Sequence, residues 1–167
     1  MQITAYCEEK TYTEEKTTDH SPILHFSLQH LLPEGNTLAL NMPLGTLSCL
    51  IYTGGQPRLL LQQQFTRSEL SLLLPLLQSF PYYCPYEVLF SSFYNSQISE
   101  TLIVRSRNHL QRALETGTWE QEMRPVRNVL SRTRLKLRTF GINISSILET
   151  GCILMAVRDS QSEYKAG

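Results

Sequence analysis

What this sequence lacks rules out much. No apolar run approaches the roughly 20 residues that cross a bilayer as a helix, and the longest is broken at Pro75. The opening, MQITAYCEEK, lacks the basic-then-apolar order of a secretory signal, so a soluble, cytoplasmic protein is expected. Cys7, Cys49, Cys84 and Cys152 are scattered, with no Cys-x-x-Cys pair and no zinc-finger histidine spacing. Reduced thiols, some of them buried, are expected rather than metal ligands or disulfides. There is no His-Glu-x-x-His, no Gly-x-Ser-x-Gly and no phosphate-binding glycine loop. His20, His25, His30 and His109 show no partner pattern, and Glu8-Glu9 and Glu14-Glu15 fall in a polar stretch that could not hold a site rigid. No catalytic residue, cofactor or metal is expected, and the chain does not read as an enzyme.

Net charge is absent too, but the zero hides a split. Residues 1–100 hold four Lys or Arg against nine Asp or Glu, whereas residues 101–167 hold eleven against six. Such a split implies a polyanionic partner for the second half, attraction between the halves, or chance on a solvated surface. The 41% apolar content is enough to build a core. A length of 167 residues suits one domain with some tail.

Residues 1–20 and 159–167 read as flexible tails around a single domain, 21–158. From Ile23 to Leu61 the pattern is β-like, with three or four antiparallel strands expected within 21–62, and Gly54-Gly55 supplies a hairpin turn. A helical part, 66–141, follows. Thr66 and Glu69 form a capping box, with Phe65 and Leu70 at the positions of a hydrophobic staple. The next residues, SLLLPLL, are apolar all round, which predicts a buried helix kinked at Pro75. A short helix is expected in YEVLFSSFYN, then another from an N-cap at Ser99 to a stop at Gly117. TWEQEM reads as a connector to a helix over 124–140, and two strands joined at Glu149-Thr150-Gly151 fill 142–157.

The helix at 124–140 carries the functional signal. Val126, Leu130, Thr133 and Leu137 form an apolar stripe interrupted at Thr133, while Arg127, Ser131, Arg134 and Arg138 repeat at the same spacing on another face. Six cations stand between Arg124 and Arg138 with no acid among them, whereas a merely solvated helix would carry i,i+4 ion pairs. The apolar stripe is narrow and is needed by the core, which argues against a membrane surface. DNA supplies a dense row of phosphates, its major groove admits a helix, and Arg and Asn can read guanine and adenine there. A two-stranded ribbon directly after such a helix is the order of elements in a winged helix.

These residues resemble the OmpR/PhoB-type winged helix-turn-helix, the DNA-binding output domain of bacterial response regulators. FTRSELSLLLPLL fits that family's Leu-Thr-x-x-Glu-x-x-Leu-Leu, with Phe65 at the first Leu. VRNVLSRTRLKL, from Val126 to Leu137, fits its Val-x-x-x-Ile-x-Arg-Leu-Arg-x-Lys-Leu, with Leu130 at the Ile and Thr133 at the Leu between the two arginines. LETGCI corresponds to the wing's Arg-Gly-x-Gly-Tyr-Arg, with only Gly151 kept, Leu148 at the first Arg and Cys152 at the Tyr.

The resemblance implies an α+β fold: a winged helix-turn-helix with an N-terminal antiparallel sheet, a helical centre and a C-terminal β-hairpin wing. It implies sequence-specific binding of double-stranded DNA by a bacterial transcriptional regulator. No receiver domain is expected beside it. By the resemblance and the helical wheel, the DNA-binding candidates are Arg124, Arg127, Asn128, Ser131, Arg132, Arg134 and Arg138. Of these, Arg127, Asn128 and Ser131 are expected to read bases, and the others to hold phosphates; Lys136 reads as a solvated charge. The segment 95–123 is longer than the family's loop there, which often contacts RNA polymerase. Trp119 within it is either an exposed anchor for such a partner or a core residue. The alternative function is a winged-helix protein-interaction module acting through 95–123, and a homodimer is left open.

Overall fold

The computed structural model describes residues 23–79, 81–95 and 97–157. The expected tails, 1–20 and 159–167, lie outside the described residues, as do Cys7, His20 and the paired acids. The architecture is α+β. An antiparallel sheet in the order β1-β2-β3-β4 is built from Leu24–Phe26, Asn36–Asn41, Thr46–Thr53 and Gln56–Gln64. Period-two alternation puts Leu38, Leu40, Leu47 and Cys49 on its buried face, where Leu38 stands opposite Cys49 and Leu40 opposite Leu47. Gly54 and Gly55 join β3 to β4 with φ of 59° and 78°. Two positive φ values in a two-residue loop suit the twist of a hairpin and favour glycine.

The capping box forms as expected. Glu69 N donates to Thr66 Oγ1 at 3.3 Å, and Thr66 N donates to Glu69 Oε2 at 2.9 Å. Both staple residues, Phe65 and Leu70, are buried. The helix they start, α1 (Arg67–Gln78), runs on through Pro75 and buries Leu72, Leu73, Leu76 and Leu77. Proline has no amide to give to the carbonyl four residues back. That carbonyl, of Ser71, instead accepts the hydroxyl of Ser92 from the next helix, so the vacancy left by Pro75 becomes a link between two helices.

Beyond α1 a three-residue strand, β5 (Tyr83–Pro85), was not anticipated where Pro81 read as loop. Helix α2 (Tyr86–Tyr94) follows, then α3 (Glu100–Thr116), capped by the Ser99 hydroxyl and stopped by Gly117 at φ 73°. Helix α4 spans Trp119–Arg138 and corrects two boundaries. TWEQEM is its N-cap and opening turns rather than a connector. The helix of 124–140 therefore starts five residues earlier and ends at Arg138. Pro125 lies inside it as the seventh residue, past the first turn, and has no amide to give to Gln121 O. Strands β6 (Ile142–Ile147) and β7 (Gly151–Ala156) form the expected hairpin, and β5 adds to it, giving the order β5-β7-β6.

Gly151, expected in the hairpin turn, is instead the first residue of β7. Glu149 takes the left-handed conformation in the turn, at φ 52°. Gly151 stands opposite Pro85 and Ile147, and a Cβ there would sit inside contact distance of Cys84 O, 2.9 Å from Tyr83 Cε2 and 3.0 Å from Pro85 Cα. The glycine is needed for close approach of strands rather than for a turn. Cys84 faces Cys152 across the same ladder, and both are free and buried. Burial pushes the Cys84 thiol up to about 12. One apolar core joins the first sheet, α1, α4 and the hairpin. Among the described residues, no helix is long and apolar enough to cross a membrane.

Candidate nucleic-acid interface

The inward face of α4 is apolar: Trp119, Met123, Val126, Leu130 and Leu137 are buried. Thr133, the polar interruption, is equally buried, and its hydroxyl donates to Val129 O at 2.9 Å, so that group is satisfied, whereas Trp119 Nε1 is buried with no hydrogen-bond partner among the described residues. Trp119 is not an exposed anchor. It is buried edge-on against Tyr86, with ring centroids 5.7 Å apart. The segment 95–123 around it is mostly the helix α3, tied to α2 by Arg107–Glu87 and to α4 by His109, whose Nε2 lies 2.9 Å from Glu122 Oε2. Glu120 and Glu122 open α4 and Lys136 and Arg138 close it, the order that suits a helix dipole.

One flank of α4 faces the hairpin. Arg134 Nε donates to Ile144 O at 2.7 Å, and its Nη2 to Ser146 Oγ at 3.3 Å. The side chain straps helix to strand, and its donors are turned inward. Arg127 forms an ion pair with Glu120. Together with Tyr86, Leu130, Ser131, Ser146 and Leu148, these two arginines line a cleft of about 320 Å³ between helix and hairpin.

The opposite flank faces α1. Lys136, expected as a solvated charge, is a structural cation. Its Nζ donates to Glu69 Oε2 at 2.6 Å and to Gln64 O at 2.8 Å, and it lies 5.2 Å from the centroid of the Phe65 ring. Arg132 Nε stands 3.8 Å from Glu69 Oε1. Burial by itself would raise the Glu69 carboxyl. The hydrogen bond from Lys136, that from the Thr66 amide, and the charges of Lys136 and Arg132 outweigh it, and the carboxyl is held below its ordinary range. Acid from the N-terminal half thus answers two of the six cations, and Glu120 answers a third.

Between the flanks one row of α4 stays open: Arg124, Asn128, Ser131, Leu135 and Arg138, at spacings of four, three, four and three, with Arg132 at its margin. Arg124 and Asn128 are exposed and have no partner among the described residues. Ser131 Oγ donates to Arg127 O at 3.0 Å and keeps its acceptor capacity. Arg138 Nε reaches Asn143 Oδ1 at 3.4 Å and is otherwise free. The seven expected residues therefore divide. Arg124, Asn128, Ser131, Arg132 and Arg138 come together on an outward surface, whereas Arg127 and Arg134 turn toward the hairpin. The Arg127–Ser131–Arg134 face chosen from spacing shares Ser131 with the solvent-open face and is rotated from it by roughly 50°, half a residue's turn at 3.6 residues per turn.

Leu135 was missed. It sits one turn beyond Ser131 on the open row, and an exposed leucine cannot be told from a core leucine by spacing alone. At the turn of the hairpin Leu148 is 82% exposed where the resemblance would place an arginine, and Glu149 stands beside it. Comparison with family models, with curated proteins and with solved structures gives no match.

Proposed function

We propose that this chain is a winged-helix protein that binds double-stranded DNA sequence-specifically, as a bacterial transcriptional regulator. Helix α4 enters the major groove, and the β6–β7 hairpin rests on the adjacent backbone. The observation that carries the reading is the open row of α4. It presents Arg124, Asn128 and Arg138, with Arg132 beside them, and contains no carboxylate. The element order supports it: α1, β5, α2, an extra helix, α4, then a hairpin paired through β7 with β5. Asn128, unpaired at the second position of the row, is the base-reading residue, and Arg124, Arg132 and Arg138 hold phosphates. Arg134 serves as a positioning residue for the hairpin. Leu148 gives the hairpin an apolar tip, so it touches the backbone without an arginine in the minor groove.

The rival reading, a protein-interaction module working through 95–123, loses its expected anchor with the burial of Trp119. The pairing of Glu120 with Arg127 is what still favours it.

Selection of bound fragments from random-sequence DNA at several salt concentrations tests the proposal. Three open arginines on phosphates give a slope of log K against log salt of roughly −2.7. On the enriched motif, Asn128→Ala weakens binding by about 1–3 kcal/mol and relaxes one position. Arg132→Ala weakens every sequence alike and flattens the slope by about 0.9. No binding at low salt would overturn the proposal in favour of the interaction module. Equal losses from Asn128→Ala on all sequences would overturn the base-reading assignment.

A further inference from the structure

Leu135 is 65% exposed, the most exposed large apolar side chain on α4. Single leucines on a surface are ordinary, so exposure by itself carries nothing. Its setting is what distinguishes it. It lies on the open row, four residues after Ser131 and three before Arg138, with Arg132 at the margin. No other exposed large apolar residue lies on this helix to extend it into a patch. An apolar protein partner would need a contiguous surface, and the neighbouring guanidinium groups would be costly to bury there. A target that pairs one small apolar group with surrounding phosphates fits better. The major groove offers that combination in the C5-methyl of thymine, which base-reading proteins touch with apolar side chains.

Resting on the DNA-binding reading above, we propose that Leu135 is a specificity-determining residue that reads the methyl group of one thymine. Leu135 lies seven residues beyond Asn128, about 10.5 Å along the helix axis at 1.5 Å per residue. With α4 lying along the groove, that is roughly three steps of 3.4 Å. The thymine read by Leu135 therefore falls about three base pairs from the base read by Asn128.

The test uses the motif enriched by the wild-type chain. Each thymine in turn is replaced by uracil, which removes only the methyl group, and each duplex is titrated with wild type and with Leu135→Ala. One such replacement should weaken wild type about fourfold, the size expected for one methyl group removed from contact. The same replacement should leave Leu135→Ala unaffected, and Leu135→Ala should bind the all-thymine duplex several-fold more weakly than wild type. Because Leu135 is exposed, the variant should keep the wild-type circular dichroism and melting temperature, so a lost contact is separable from a lost fold.

A motif bound tightly with no methyl-sensitive thymine would overturn the proposal and leave the DNA-binding reading standing. So would a methyl-sensitive thymine that stays equally sensitive in Leu135→Ala. Failure of the wild-type chain to bind any DNA would overturn both.

Discussion

Glu69→Gln removes one charge from the junction between α1 and α4 while keeping the side chain's shape. Glu69 is 2% exposed and Lys136 31%. Breaking a buried ion pair by removing one partner ordinarily costs about 3–5 kcal/mol, because the remaining charge is stranded. Here Lys136 is partly hydrated and still donates to Gln64 O, and a glutamine oxygen can still accept from Thr66 N. The expected loss at neutral pH is therefore smaller, about 1–2 kcal/mol.

The sign with pH follows from the lowered carboxyl. A group whose folded pKa lies below its unfolded value stabilises the fold above the unfolded value, near 4.3 for an ordinary Glu by the usual reference of about that size. That contribution is lost as pH falls through the folded value. The gap in stability between wild type and Glu69→Gln should thus be constant from pH 7 to about pH 5 and shrink progressively as pH falls below about 4.3. Urea unfolding followed by tryptophan fluorescence measures it, since Trp119 is the single tryptophan and is buried. A variant as stable as wild type at pH 7, or a gap that does not shrink as pH falls below about 4.3, would refute the account of this junction.

Two other substitutions probe the packing around the same helices. Ser92→Ala strands the Ser71 carbonyl left free by Pro75 and should cost about 1 kcal/mol. In a Pro75→Ala background, where the helix can supply its own amide to Ser71, the cost should fall toward zero, so additive losses in the double variant would sink the explanation. Gly151→Ala forces a Cβ against Cys84 O, Tyr83 and Pro85 and should destabilise by about 1–3 kcal/mol through overpacking. An unchanged melting temperature would show that β5 and β7 can separate at no penalty.

Most of the fold was legible because local chemistry and tertiary demand agree in it. The Thr66–Glu69 box, the Gly54-Gly55 turn and the Ser99 and Gly117 caps are short-range devices, and each stands where its residues place it. The failures occur where a long-range partner decides. Tyr83–Pro85 has no alternation to read over three residues and is a strand only because β7 lies beside it. Pro125 looks like a helix beginning, yet Trp119 and Met123 bury on the same side as Val126, so the apolar stripe continues upstream of it. Gly151 read as a turn residue because glycine most often serves turns. Its actual constraint, the backbone of β5, is more than sixty positions away in the sequence.

The candidate site was legible as a helix and illegible as a face, and the reason lies in the neighbours. Counting cations between Arg124 and Arg138 treats them as equivalent, because no acid occurs in that interval. Space supplies what the interval lacks: Glu69 comes from α1 to Lys136 and Arg132, Glu120 from two turns upstream to Arg127, and backbone oxygen from β6 to Arg134. The opposed charges of the two halves are thus partly an internal matter, one buried carboxylate fixing how α4 sits on α1. What is left over is selective. Lys136, Arg127 and Arg134 are held on the flanks and fix the orientation of the helix, while Arg124, Arg138 and the loosely paired Arg132 lie outward, in or beside a row with Asn128 and Leu135. A helix evolving only for solubility has no reason to sort its charges in this way. The DNA-binding role proposed above would supply one, a helix held rigidly while its outward row meets a groove.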